Sequence, residues 1–264
     1  MIKLEFDSFK HTGLKIPTNQ EVEIGNCFGI NDEPIQFTSG SEIFNVTLKP
    51  PFNFLGAGRQ KFVVSANTNG IENLTKSQNE SRVACGLLNE NNSSCLSGLQ
   101  AYTLAKKTGF STYPWYLESL DSKRCLMPDL TQEGVIVSSN TRSLSSENCN
   151  QLNEDWPNII VQIRAMIETA IQFYPPIKIT YDTFFLILKQ NALTHVMLGD
   201  FDGVAVSERH LREDLTKNLE SIKKIQLYTK EQLIMQINKL IDDFSERFSL
   251  DLKYVYENAQ NDNL

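Results

Sequence analysis

The sequence predicts an α+β protein: an antiparallel β-rich part up to about residue 115, then a helical part over 153–264 that carries a small β-hairpin. Short alternating apolar segments dominate the first 83 residues, and apolar residues at helical spacing dominate the chain after residue 153. The stretch between them is rich in loop-forming residues. We therefore expect an irregular connector over 116–152, joining either two domains or two parts of one interlocked domain.

The β-rich part is predicted from short segments in which apolar side chains alternate with polar ones, as in strands with one buried face. Such segments lie at residues 2–6, 22–24, 43–48 and 62–64. Proline and glycine separate them, which favours an antiparallel, meandering sheet. One helix is expected at about 94–107, ended by Gly109.

The helical part opens with the strongest periodic signal in the chain. Apolar residues recur at helical spacing from Trp156 to Tyr174, with Glu154 and Asp155 in the expected first turn and a proline pair as the stop. Strands are expected next at 177–180, 184–188 and 195–198. The segment from Tyr181 to Gln190 also fits a helix.

Two further helices are expected in the last 60 residues or so of the chain. Ser207 is predicted to cap the first of them, and Thr229 with Gln232 forms a capping box for the second. A short break at about 226–228 would fold the two helices into an antiparallel pair.

Composition narrows the functional classes. With 25 Lys and Arg against 32 Asp and Glu, the net charge of −7 makes nucleic acid or anionic lipid an unexpected partner. No apolar run is long enough to span a membrane, and the N-terminus lacks the apolar core of a signal peptide, so a cytoplasmic protein is expected. The 5 cysteines show no metal-binding spacing. The asparagine-rich composition suits a bacterial or viral genome.

The segment His195 to Glu208 is the most informative in the chain, because an apolar run there leads into Gly-Asp-Phe-Asp-Gly. The first interpretation is structural: residues 196–198 and 204–206 are two short arms, and the segment between them has the composition of a hairpin loop. Every residue in it is explained by turn chemistry.

The second interpretation is catalytic. An apolar strand followed by Asp200-x-Asp202-Gly-Val resembles the first motif of the haloacid dehalogenase family. The resemblance implies that Asp200 is a phosphoryl-accepting nucleophile, that Asp202 is a general acid/base, and that Mg²⁺ lies between them. It covers about ten residues. That family's motif opens a long domain, whereas here 62 residues follow Asp202, so a circular permutation would be needed.

The third interpretation is a metal site. Asp200 and Asp202 would be joined by His195 or His210, because carboxylate and imidazole together suit Mn, Fe or Zn. Mg²⁺ or Mn²⁺ is the expected cofactor of an enzyme at this segment, and no cofactor is expected otherwise. The chain has 3 histidines, which leaves few alternatives for the nitrogen ligand.

A second candidate site is the aromatic segment that contains Tyr113, Trp115 and Tyr116. As an exposed patch it would be a recognition surface, because such side chains give contact area at low entropic cost. As core it would close the end of the sheet. The sequence supports both interpretations equally.

The leading functional hypothesis is a non-enzymatic interaction protein, a subunit or adaptor that binds another protein or a second copy of itself. The first alternative is a metal-dependent hydrolase or phosphotransferase that uses Asp200 and Asp202. The second is an effector that acts on nucleic acid, which the net charge of −7 disfavours.

Overall fold

The structure is a computed structural model that describes residues 34–57, 61–74, 82–88, 97–173, 177–201, 204 and 219–252. The chain divides into two compact units, and each is built from two segments. The barrel unit comprises Met1–Ser93 and Pro114–Asp129, and the helical unit comprises Ser94–Tyr113 and Leu130–Leu264. The α+β class is confirmed. A contiguous division into separately folding domains stays a prediction.

The barrel unit is a closed antiparallel barrel of six strands in the order β1-β2-β3-β4-β6-β5. Its strands are β1 (Ile35–Ser39), β2 (Glu42–Ala57), β3 (Lys61–Asn69), β4 (Arg82–Leu88), β5 (Leu117–Ser119) and β6 (Arg124–Pro128). The first four form the expected meander, and the hairpin of β5 and β6 closes the barrel by pairing with β1 and β4. The predicted strands at 2–6 and 22–24 lie outside the described residues.

The barrel interior is apolar and closely packed. Its buried residues are Phe37, Val46, Leu48, Val64, Ala66, Ile71, Val83, Cys85, Trp115, Leu117 and Leu126. Gly70, at the end of β3, has a φ of +98°, and a Cβ there would lie 2.0 Å from the carbonyl oxygen of Asn45. Only glycine fits this position, because both the backbone conformation and the close approach exclude a side chain.

In its described residues, the helical unit combines three α-helices with a three-stranded antiparallel sheet of order β7-β8-β9. Its elements are α1 (Gly98–Thr108), β7 (Val135–Val137), α2 (Ser146–Gln172), β8 (Phe184–Leu188), β9 (His195–Leu198) and α3 (Leu219–Phe248). Gly109 ends α1 in the left-handed conformation, as expected. The predicted strands β8 and β9 are confirmed and form the small hairpin, so the helical alternative for 181–190 is wrong.

The expected irregular connector over 116–152 is wrong in detail, because it contains β5, β6, β7 and the start of α2. The three-residue strands are too short to show alternation. Helix α2 begins about two turns earlier than the periodicity predicts. Its cap is Ser145, whose hydroxyl accepts a hydrogen bond from the amide of Asn148 at 3.2 Å, and its first turns are polar. A polar first turn leaves no apolar period to detect.

Helix α3 differs from the pair of helices that the sequence predicts. Helix α3 runs without interruption through residues 226–228, so the expected antiparallel pair is wrong and Thr229 lies inside a helix. No glycine or proline occurs in α3, and a helix continues through such a sequence at little cost. Ser207 lies outside the described residues. Among the described helices, none combines the length and the apolar character that crossing a bilayer requires.

Candidate functional site

The Gly-Asp-Phe segment follows β9 directly and is tied to the start of β8. The amides of Gly199 and Asp200 both donate to the carbonyl oxygen of Thr183, at 2.9 and 3.3 Å. A Cβ at Gly199 would lie 2.2 Å from the ring of Phe185, so any larger residue here would require that ring to move. The two hydrogen bonds fix the backbone at the point where the chain leaves the sheet.

Phe201 anchors the same turn in the core. Its ring is 2% exposed and lies between Tyr102 of α1 and Tyr113, with edge-to-face contacts at a centroid distance of 5.8 Å to each. Val204 is also 2% exposed, and its amide donates to the carbonyl oxygen of Phe201 at 3.0 Å. The turn is therefore held in the interior on both sides of residues 202–203, which lie outside the described residues.

The hairpin-loop interpretation stays a prediction, because most of its second arm, residues 205–206, lies outside the described residues. Its first arm lies in β9, which pairs with β8 through one edge. The other edge of β9 is taken by residues 111–113. Leu198 donates its amide to the carbonyl oxygen of Ser111 at 2.9 Å, and the hydroxyl of Thr112 donates to the carbonyl oxygen of Leu198 at 2.9 Å. The hydroxyl of Tyr113 donates to the carbonyl oxygen of Gly199 at 3.1 Å. The strand end that presents Asp200 is thus held from two sides.

The proposed metal ligands are only partly placed. Asp200 is half-buried at the anchored turn, while Asp202 and His210 lie outside the described residues. His195 stands at the opposite end of β9, about 10 Å along the strand from Leu198. Among the residues that the structure describes, no three or more His, Cys, Asp or Glu side chains form a group that could hold a metal ion.

His195 instead contacts Ser111. The ring nitrogen Nε2 lies 3.0 Å from the hydroxyl oxygen of Ser111. Desolvation lowers the pKa of His195 below its ordinary 6.5, the positive charge of Lys189 lowers it further, and Glu133 opposes both. Lys189 and Glu133 form an ion pair at 2.6 Å. The ring of His195 is therefore neutral at neutral pH and able to accept a hydrogen bond.

A polar face of α2, formed by Gln151, Asp155, Asn158 and Gln162, holds the backbone that carries His195. Asp155 accepts hydrogen bonds from the amide and the hydroxyl of Thr194, at 2.8 and 2.7 Å. Gln162 donates to the carbonyl oxygen of Thr194 and accepts from the amide of Val196, both at 2.9 Å. We call this set of contacts the α2 clamp. The neighbours of His195 on both sides are thereby fixed.

The α2 clamp carries a sequence signal that the apolar periodicity hides. Its four residues follow one another at intervals of four, three and four, which places them on one side of a helix. Polar residues with this spacing beside an apolar stripe are common on exposed helix faces. The pattern alone therefore does not reveal that they bind the backbone of a neighbouring loop.

The aromatic segment is buried. Tyr113, in the helical unit, is 3% exposed, and Trp115 and Tyr116, in the barrel unit, are 9% and 0% exposed. A recognition surface requires exposed rings, so this burial favours the alternative in which the three side chains fill the core. The sequence identified these aromatic residues, but it did not show whether their side chains point to solvent or into the core.

Comparisons of the chain with protein-family models, with curated proteins and with solved structures yield no significant match.

Proposed function

We propose that the turn at Asp200 binds a divalent cation together with a phosphate-bearing ligand, and that the protein is a metal-dependent phosphotransferase or hydrolase. The observation that carries the proposal is the anchoring of this turn. Phe201 is 2% exposed in the core, and the amides of Gly199 and Asp200 are both bonded to the carbonyl oxygen of Thr183. A turn held in this way presents its carboxylate from a rigid position.

The chemistry of the segment supports the same proposal. Mg²⁺ is typically bound by one or two carboxylates together with substrate phosphates, and it keeps several waters. Asp200 supplies one carboxylate at the end of a fixed strand, and Asp202 follows two positions later in the sequence. A cation bound here would neutralise phosphate oxygens and polarise the phosphorus for attack. A fixed backbone reduces the reorganisation that such binding requires.

Thermal unfolding of the full chain with Mg²⁺ or Mn²⁺, alone and with ATP or pyrophosphate as probe, tests this proposal. Ligand binding to the folded state stabilises it by about 2.7 kcal/mol at a free concentration one hundred times the dissociation constant. We expect a rise in the melting temperature with the wild type and none with Asp200→Asn. Asp251→Asn changes an exposed aspartate elsewhere in the same unit and should keep the full rise.

Two results would overturn this proposal. One is the absence of any shift at millimolar metal with every probe. The other is an equal shift in the wild type and in Asp200→Asn, which would place the binding elsewhere.

A second candidate function is that of a cytoplasmic subunit or adaptor that binds another protein through the barrel unit. A surface groove of about 690 Å³ lies between the start of β2 and the turn after β3, and Phe44, Gly70 and Leu74 are among its lining residues. Ile43, which also lines the groove, is 60% exposed. An apolar side chain beside a groove is a typical anchor for a partner.

Light scattering after size-exclusion chromatography of co-purified material tests this second candidate. A stable complex or oligomer that Ile43→Asp dissolves would support it, while Val161→Asp changes an exposed valine of α2 and serves as the control. A monomer with no partner at any concentration would contradict it.

A further inference from the structure

We propose that Ser111 and His195 form a second, metal-independent site, in which Ser111 is a nucleophile toward acyl or phosphonyl esters and His195 is its general base. Their side chains are 3.0 Å apart, within the distance that a serine and its base require. The pair uses neither Asp200 nor Asp202, and the inference does not depend on metal binding at the Asp200 turn.

The geometry of this pair is fixed from both sides. Ser111 is held by the hydrogen bond from the amide of Leu198 to its carbonyl oxygen at 2.9 Å, beside the parallel bridge between Thr112 and Leu198. The residues on either side of His195 are held by the α2 clamp. Reacting groups that sit on fixed backbone need little reorganisation before reaction, which is the main structural requirement for such a pair.

The electrostatics and the exposure also suit the reaction. The pKa of His195 is lowered, first by desolvation and then by Lys189, so the ring is neutral and basic at neutral pH, while Glu133 supports the charged form. The imidazole ring is exposed and Ser111 is half-buried, which gives an ester access to the hydroxyl. Among the described residues, Ser111 contacts the imidazole, and the charges of Lys189 and Glu133 act on its pKa.

The proposed step transfers the acyl or phosphonyl group of the ester to Ser111. The oxygen of Ser111 forms a bond to the electrophilic carbon or phosphorus as its proton passes to Nε2 of His195. The leaving group departs with the electron pair of the broken bond. An alkoxide leaving group takes the proton from His195, whereas after fluoride departs the proton passes to water. Nε2 accepts this proton only when the ring carries its own proton on Nδ1.

Labelling of the full chain with a fluorophosphonate ester, followed by mass mapping of the modified peptide, tests the proposal. We expect the adduct on Ser111, with none in Ser111→Ala. His195→Gln removes the base from an exposed position and should slow labelling by roughly 100-fold. The rate should rise with pH through a midpoint below the ordinary 6.5 of histidine. Ser143, an exposed serine of the same unit, is the internal control.

The outcomes separate this site from the metal site. Labelling should be unchanged by a chelator and by Asp200→Asn, whatever the result of the metal titration. Equal labelling of Ser111 and Ser143 would overturn the proposal, as would an unchanged rate in a His195→Gln variant whose circular dichroism matches the wild type.

Discussion

The barrel and the small sheet of the helical unit differ in how the backbone hydrogen-bonding groups of their strands are paired. In the barrel, every strand has a strand neighbour on each side, because the sheet closes on itself. In the helical unit, β9 has one strand neighbour among the described residues, and three of its other backbone groups form hydrogen bonds with Gln162, Ser111 and Thr112. At this edge, two side chains and one loop carbonyl take the place of a further strand. The candidate functional residues Ser111, His195 and Asp200 lie on or next to this open strand, β9.

The two solutions differ in energetic character. The barrel depends on burial of apolar side chains, a non-directional effect that each large residue contributes to in proportion to its area. The edge of β9 depends on directional hydrogen bonds, each of which contributes about 1 kcal/mol but fixes a particular atom. The barrel therefore contributes mainly to stability, while the α2 clamp fixes the position of the backbone around His195. Substitutions in the two regions should separate these effects.

The largest loss should follow Phe37→Ala in the barrel. Phe37 is 0% exposed and belongs to the apolar interior, and truncation of a buried phenylalanine costs about 3 to 5 kcal/mol. Urea unfolding measures the change. Ile43→Ala removes a side chain that is 60% exposed and should cost less than about 1 kcal/mol. Equal losses at the two positions would contradict the closed barrel.

Asp155→Ala should give the next largest effect. It leaves the amide and the hydroxyl of Thr194, a residue that is 1% exposed, without their shared acceptor, at a cost of about 1 to 3 kcal/mol. Glu154→Ala changes the exposed neighbouring residue and should cost about 0.5 kcal/mol or less. Slower labelling of Ser111 in Asp155→Ala would show that the clamp positions His195. A loss no larger than that of Glu154→Ala would contradict the clamp.

Elements with a strong repeating pattern were predictable, and those defined by single contacts were not. The strands β8 and β9 were predicted at their observed bounds because each is a short apolar run between turn residues. The first turns of α2 were missed, since Ser145 and the polar residues after it are typical of both a loop and a helix start. Capping depends on one hydrogen bond, and neighbouring sequence decides whether it forms.

The candidate sites show the same limit. The sequence identified Asp200 and His195 as residues of interest, but placed them together because they lie close in the chain. The structure gives His195 a partner, Ser111, that is 84 positions away, and no local pattern contains such a pairing. Phe201 was assigned to a turn because aspartate and glycine surround it, although its ring is buried between two tyrosines. Tertiary packing decided both outcomes.

A smaller effect is expected for Tyr113→Phe, which removes only the hydroxyl that donates to the carbonyl oxygen of Gly199 at 3.1 Å. The loss should be about 1 kcal/mol, the usual value for one buried hydrogen bond. Tyr113→Ala also removes the ring contact with Phe201 and should cost about 3 kcal/mol or more. If Tyr113 also fixes the Asp200 turn, the metal-dependent rise in melting temperature should fall in Tyr113→Phe.

The smallest effect concerns the pH dependence of stability at His195. Its pKa in the folded protein is lowered from 6.5, by desolvation first and by Lys189 second, so the folded state favours the neutral ring. The unfolded chain binds this proton more readily, so the contribution to stability is complete above pH 6.5 and is lost as the pH falls through the lower folded value. Because the ring is exposed, water screens these interactions and the change should be slight.

Unfolding free energies of the wild type and of His195→Gln between about pH 7.5 and pH 5 measure this change. The wild type should lose more stability toward acid, since glutamine does not titrate. Parallel curves would mean that the folded and unfolded states bind the proton equally. His195 would then be an ordinary exposed histidine beside Ser111, and the general-base assignment would lose its electrostatic support.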